Sequence, residues 1–347
     1  MTRRALLLAC ALALAAGCQS VSYYTQAVNG QFELSRAARP IEDWLADPAT
    51  DAPLRERLET ARRIRAFASR ELGLPDNKSY TRYARIDRRY VLWNVFAAPE
   101  FSVEARRQCF LFAGCVAYQG FFAEADARAR AAALREEGDD VFVAGVPAYS
   151  TLGWFDDPLV STFIRYPDAD LARLVFHELA HQVVYVQDDS AFNESFAAAV
   201  EEEGLRRWLV HEGRAAELPA VEQIGARRRE FSRLIEDTRK RLRELFREPL
   251  PAETLRTRKR AEFDRLRERY AALKAGWGGY AGYDRFFRDE PNNALLVAFS
   301  TYARWVPAFE RLLAQANGDL PTFYKSARKL AYLPDAERSA KLAALAP

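Results

Sequence analysis

The sequence predicts a helix-rich α+β fold, and three observations carry that expectation. Long stretches repeat apolar residues every three to four positions, the period of a half-buried helix. Between residues 90 and 143 the pattern switches to strand–helix–strand. No low-complexity linker or internal repeat divides the chain, although 347 residues would allow about two domains of ~150. Hydrophobic residues make up 49% and charged residues 29%, a globular balance that excludes a disordered or collagen-like chain. The one long apolar run lies at the N-terminus, which excludes a polytopic membrane protein. Asp and Glu number 48 against 51 Lys and Arg, so the chain is not built to coat nucleic acid.

In chain order, Thr2-Arg3-Arg4 supplies a basic start, and Ala5 to Ala16 is too short an apolar run to span a bilayer but suits a secretory signal. Leu14-Ala15-Ala16-Gly17-Cys18 resembles the lipobox of bacterial lipoproteins. That resemblance implies cleavage before Cys18 and lipid on Cys18, with several acyl chains giving a stable anchor. Gln19 rather than Asp follows, which by the sorting rule of such proteins implies the outer membrane, facing the periplasm. Residues 1–17 are then signal and 18–30 a tether that becomes ordered near Tyr23 and Tyr24. Cys109 and Cys115 remain in an oxidising compartment, where a disulfide is the simple expectation and two buried thiols the alternative.

Helices are expected over about 31–45, and from the Asp51 cap with Pro53 in the first turn to Leu72, where Gly73 and Pro75 stop the chain. Tyr90 to Phe96, Cys115 to Tyr118 and Val141 to Val143 read as strands, with a helix from Phe121 to Glu137 ended by Gly138. Ala148 to Trp154 has strand-like composition. Helices follow at 170–186 and 193–210. From Val221 to Phe246 and again from Leu255 to Leu273 an apolar stripe runs on either side of Pro249-Leu250-Pro251, predicting an antiparallel helical hairpin inserted at about 219–275. Its arginines are interleaved with Glu and Asp, which favours a solvated, ion-paired surface over an anion-binding one. A further helical stretch runs from Ala294 to Arg304.

Two of the three histidines fall in Phe176-His177-Glu178-Leu179-Ala180-His181-Gln182. On a helix, positions i and i+4 share a face, so both imidazoles can reach one metal ion while Glu178 stands beside them as a base. Leu171, Leu174, Val175, Leu179, Val183 and Val184 give the apolar spacing such a helix needs. The plain alternative is a pair of core or surface histidines with an incidental Glu. A catalytic zinc needs a third protein ligand and an open position. His211 is thirty residues on and reads as a surface or capping residue. Glu194 is the better candidate, because an antiparallel return of the next helix brings it to the imidazoles. Glu201 and Glu202 are rivals, and Glu201, two turns along the same face, suits a partner that orients a histidine.

His177-Glu178-x-x-His181 followed by Asn193-Glu194 resembles the gluzincin metallopeptidases. More narrowly, Cys109-Phe110, Gly114-Cys115, Tyr149 to Phe155, Phe176 to Gln182, Phe192 to Ala197, and Asn292-Asn293-Ala294 with Tyr302 are similar to a bacterial family of predicted aminopeptidases, many of them lipoproteins. The resemblance implies a zincin-like domain over residues 31–347 and one Zn2+ ion on His177, His181 and Glu194. It further implies Glu178 as catalytic base and a peptide substrate. It also implies a second stabiliser of the carbonyl oxygen, for which Tyr302 is the candidate and Tyr280, Tyr283 and Tyr149 the alternatives. By the same resemblance Tyr149 to Leu152 would form a cleft wall, and Asp156 and Asp157 could hold a peptide's amino terminus or form an acidic turn. Two departures stand out. Beyond Met1 the chain has no Met, so the Gly-x-Met-Glu-Asn amine-binding motif of alanyl-type aminopeptidases is absent. Ala198 stands where thermolysin-like relatives carry an Asp. Three other functions compete: a zinc endopeptidase, a cell-wall peptide amidase, and a non-catalytic envelope lipoprotein that binds a partner through its hairpin.

Overall fold

The computed structural model describes residues 23–110, 114–148 and 150–346, without the side chains of 110, 114 and 301–303. The signal segment, Cys18, Tyr149 and the side chain of Tyr302 lie outside the described residues. The fold is α+β and helix-rich, with small sheets. Among the described residues no helix is long and apolar enough to cross a membrane.

Helix α1 covers residues 23–37, so the described part of the segment read as a tether is helical from Tyr23. The helix expected over 31–45 is two helices: strand β1 (Ala38–Pro40) interrupts it before α2 (Ile41–Ala46). Pro40 lacks the N–H a continuous helix needs and takes an extended conformation. Asp51 caps α3 (Ala52–Arg70) by accepting the Leu54 N–H. Strand β2 (Arg82–Ala84) pairs antiparallel with β1 and, on its other edge, parallel with β8 (Leu159–Val160).

The larger sheet has the order β6-β3-β7, built from β3 (Leu92–Pro99), β6 (Tyr118–Phe121) and β7 (Asp139–Val146), all antiparallel. Side chains alternate across it. Val95 and Ala97 face helix α4 (Glu124–Glu136) with Ala127, Ala131 and Leu134. Phe96 and Ala98 face the other way, against Ala294, Val297 and Ala298. Strands β4 (Gln108–Phe110) and β5 (Gly114–Val116) make a separate small ladder in which Cys109 pairs with Cys115, and the two are joined as a disulfide. The described residues of Ala148 to Trp154 form a loop, not a strand. Leu152 and Gly153 have φ of 59° and 82°, a left-handed turn no strand can contain.

Helices α5 (Asp168–Ala180) and α6 (Ser190–His211) form the centre of the main core, with α3 on one side. The hairpin consists of α7 (Leu218–Leu245) and α8 (Ala252–Gly276) and has a core of its own. Its surface arginines are paired, Arg241 with Glu262 at 2.6 Å and Arg269 with Asp237 at 2.9 Å. Helix α9 (Asn293–Ala303) is the joint of the structure, touching the sheet, α6 and α7. Helices α10 (Val306–Gln315), α11 (Leu320–Ala331) and α12 (Asp335–Leu345) close the main core, with Phe309 and Phe323 fully buried against Phe192 and Phe196.

Candidate metal centre

Helix α5 ends at Ala180, with His181 as its C-cap, six residues earlier than the apolar spacing suggests. The reason lies in Asn193. Its side chain accepts the Val186 N–H and donates to the Val186 carbonyl, both at 2.8 Å. A buried amide that satisfies both backbone groups of one residue holds residues 182–189 as a tight reversal. Asp188 within it has φ of 68°. Asp189 then caps α6 through the Phe192 N–H at 3.0 Å. The reversal is also clasped from outside. Arg107 donates to the Asp188 carbonyl at 2.6 Å, and the Cys115 N–H donates to the Asp188 carboxylate. Gly204 lets α6 come close, since a Cβ there would stand 2.8 Å from both Phe176 and Leu72.

This return puts Glu194 against the two imidazoles. His177 Nε2 lies 3.1 Å from Glu194 Oε2, and His181 Nε2 lies 3.8 Å from Glu194 Oε1. One ligand atom from each residue falls within 4.8 Å of the others. Donors about 2.0–2.1 Å from a tetrahedral ion stand ~3.3 Å apart, so two nitrogens and a carboxylate oxygen fit a metal ion with only small adjustments. His177, His181 and Glu194 could therefore hold one. The donor set suits zinc and its borderline relatives better than calcium or magnesium, which take oxygen.

The charges are arranged for a cation. Burial disfavours the charged form of His177, but hydrogen bonds to Glu194 and Glu201 outweigh it and raise its pKa well above the usual value. Burial pushes His181 down to about 4, so its ring is neutral at pH 7. Burial acts to raise Glu194, but His181 and His177 hold it below the ordinary carboxylate range. In the metal-free protein the His177 proton thus occupies the place of a positive ion between two carboxylates.

Behind the imidazole, Glu201 Oε2 accepts from His177 Nδ1 at 2.8 Å. Its other oxygen accepts from Arg173 at 3.1 Å and from Arg228 at 3.0 Å. Burial would raise the Glu201 pKa, but Arg228 and Arg173 more than reverse this and hold it far below the ordinary range. Glu202 is held 3.8 Å from Arg173 and 3.2 Å from Arg228. Glu178, next to His177, is half-buried, and desolvation lifts it to about 8, with Glu194, Asp157 and Glu201 adding to the effect and His177 opposing it.

Residues 22–342 match the family model described as "Putative aminopeptidase". The chain belongs to this family. Neither the curated proteins nor the solved structures give a match. Membership makes a peptidase, a hydrolase of peptide substrates, the function class of the chain.

His211, read as a surface or capping residue, ends α6 exposed, with its ring 5.0 Å from Phe67, and stands apart from the metal-ligand group. Tyr283 is stacked on Phe231 at 4.0 Å, and Tyr280 lies under Arg227 at 4.5 Å. Asp157 is 2% exposed and accepts from the Thr151 N–H and Thr151 hydroxyl, both at 2.8 Å. It closes its own loop rather than waiting for an amine, and burial lifts it to about 6. Two tyrosines escaped the sequence reading. Burial raises Tyr118 far above its ordinary pKa, and Glu194 and Glu178 contribute. Tyr185 is raised by burial and by Glu194. Tyr185 was open to discovery, since it lies four residues past His181. Tyr118 was not, because only the pairing of β6 with β3 brings it inward.

Proposed function

We propose that this chain is a zinc-dependent peptide-bond hydrolase of zincin-like fold, an aminopeptidase carried as a lipoprotein on the periplasmic face of the outer membrane. The observation that carries the reading is the convergence of His177, His181 and Glu194 donors, with Glu201 behind one imidazole and Glu178 beside it. A purely structural zinc site closes with four protein ligands and needs no base, whereas three ligands leave a position open.

Zinc held by His177, His181 and Glu194 would lower the pKa of bound water from 15.7 to about 7 and polarise a carbonyl. The chain's own residues do the rest. Glu201 fixes the His177 ring with Nδ1–H toward itself, so that Nε2 presents a lone pair. Glu178 acts in its carboxylate form as the base that takes the proton of the attacking water, and burial, which raises its proton affinity, favours that transfer. The same carboxylic acid then hands that proton to the leaving amine, a relay worth ~10²–10⁴ in rate. A tyrosine hydroxyl donates to the carbonyl oxygen as charge develops on it, worth ~10²–10³. Tyr302 is the donor that the resemblance suggests. Tyr118 and Tyr185 join it as candidates, because both hydroxyls feel the Glu194 carboxylate.

The test is a peptide mixture, free and N-acetylated, given to the zinc-loaded chain from Gln19 onward, with products read by mass spectrometry. Stepwise loss of N-terminal residues from free peptides alone is expected. Internal cuts indifferent to acetylation would replace the aminopeptidase by an endopeptidase, and no cleavage would favour a partner-binding role. For the anchor, an acylated Cys18 at the mature N-terminus is expected. An unmodified Cys18, or a Cys18→Ser protein that differs from the wild type in mass by that substitution alone, would refute it.

A further inference from the structure

We propose that the helical hairpin is part of the metal centre: Arg228 of α7 is a positioning residue that holds Glu201, and through it the His177 imidazole, in the orientation a metal ion requires. This rests on the metal reading above and adds to it an element with no chemical motif of its own.

Some of the hairpin's arginines pair within it, Arg241 with Glu262 at 2.6 Å and Arg258 with Glu248 at 2.8 Å, and others reach the sheet side, Arg243 to Glu104 at 2.8 Å. Arg228 turns the other way, onto Glu201 Oε1 and Glu202 Oε1. The Glu201 carboxylate is thereby divided, one oxygen for the imidazole and one for two guanidinium groups, which its lone pairs allow. Arg173 stands on α5, the same helix as His177, one turn before it, and cannot by itself fix α6 against an outside reference. Arg228 comes from a separate element. The rotation of α7 is set by Phe231, three residues on and therefore on the same face. Phe231 is 1% exposed, stacked on Tyr283 with 8° between the rings, and edge-on to Phe299 of α9 at 4.8 Å. With that face seated, Arg228 has one direction to go. A loose hairpin would leave Glu201 held by Arg173 alone and the His177 ring less firmly oriented.

The experiment measures Zn2+ dissociation constants by chelator competition for the whole mature chain, its Arg228→Met and Arg228→Lys variants, and Arg227→Met as a control on the neighbouring residue. Outer partners of ligating histidines are worth ~10–100-fold in metal affinity. Because Arg173 remains, Arg228→Met is expected to weaken zinc ~10-fold, the lower end of that range. Arg228→Lys recovers most of the loss by restoring the charge without the fork. Arg227→Met, which loses only its contacts with Tyr280 and Trp277, leaves affinity unchanged. The cycle with Glu201→Gln separates positioning from general stability: the effect of Arg228→Met vanishes in the Glu201→Gln background if it acts through Glu201. Should Arg228→Met fail to fold, Arg228→Gln, which keeps a polar side chain but removes the charge, is run through the same cycle. Wild-type affinity in Arg228→Met, or an equal loss in both backgrounds, overturns the proposal. A wild-type chain that takes up no zinc overturns it together with the metal reading. A chain that binds zinc but cleaves no peptide refutes the hydrolase reading alone, and the affinity cycle still decides the role of Arg228.

Discussion

Replacing Glu194 with Gln keeps the shape of the side chain and removes one charge and one ligand oxygen from between His177 and His181. The two carboxylate oxygens lie 3.1 and 3.8 Å from the imidazole nitrogens, and the residue is 9% exposed, so water has little room to substitute for it. Four-ligand zinc sites bind with ~10–16 kcal/mol, which makes one donor worth roughly 2.5–4 kcal/mol. The amide carbonyl of Gln recovers part of this, leaving a loss of about 3 kcal/mol, on the order of 10²-fold in Kd. The metal-free protein should change far less. It loses a charged hydrogen bond to His177, worth ~1.5–3 kcal/mol, but no longer buries the Glu194 charge. The assay is zinc competition against a chelator, with thermal unfolding of the metal-free forms beside it. Glu202→Gln is the control, because Glu202 faces Arg173 and Arg228 and not the ligand rings. Unchanged zinc affinity in Glu194→Gln, or an equal loss in Glu202→Gln, would refute the assignment of Glu194.

Three further outcomes follow from the same geometry. Zinc at ~1,000 times its Kd should stabilise the chain by ~4 kcal/mol and raise Tm by on the order of 8 °C, while magnesium should not; equal shifts from both ions would contradict a nitrogen-rich site. Asp157 has its pKa raised from 3.8 to about 6 by burial, so its protonated form is the one the fold prefers. Stability held below pH 3.8 is therefore lost as pH rises through 6, a difference of ~3 kcal/mol. Asp157→Asn should lack that loss and gain on the wild type between pH 4 and 6 in urea unfolding, and parallel pH curves would sink the reasoning. Replacing Cys109 and Cys115 by Ser together opens a loop of sequence separation 6 and should cost ~2 kcal/mol. It should also speed hydrogen exchange over residues 182–189, since the Cys115 N–H and Arg107 both hold Asp188, and unchanged protection there would disconnect the disulfide from the site.

What could be read from the sequence is what a single helix determines. The spacing of His177 and His181, and of Glu194 and Glu201, is fixed by 3.6 residues per turn, so each pair shares a face before any packing is known. Arg173, one turn before His177, shares that face by the same rule, but no motif marks it and the sequence reading passed it over. The end of α5 was not, because Val183 and Val184 continue the apolar spacing and only the Asn193 side chain, acting across the turn, stops it. Ala148 to Trp154 misled through composition, because the strand-like residues are held in a loop by Asp157. Tyr118 and Arg228 needed tertiary pairing, one through a strand and one through the hairpin. No spacing rule along the chain brings residue 228 to residue 201.

The most direct test of the central claim compares the zinc-loaded chain with Glu178→Gln on the same free peptides, with zinc content measured in both. Glu178 is not among the three ligand residues, so the variant should keep one zinc ion at wild-type affinity. Its kcat/KM should fall by ~10²–10⁴. Cleavage by the wild type and undiminished cleavage by Glu178→Gln with its zinc in place would contradict the account.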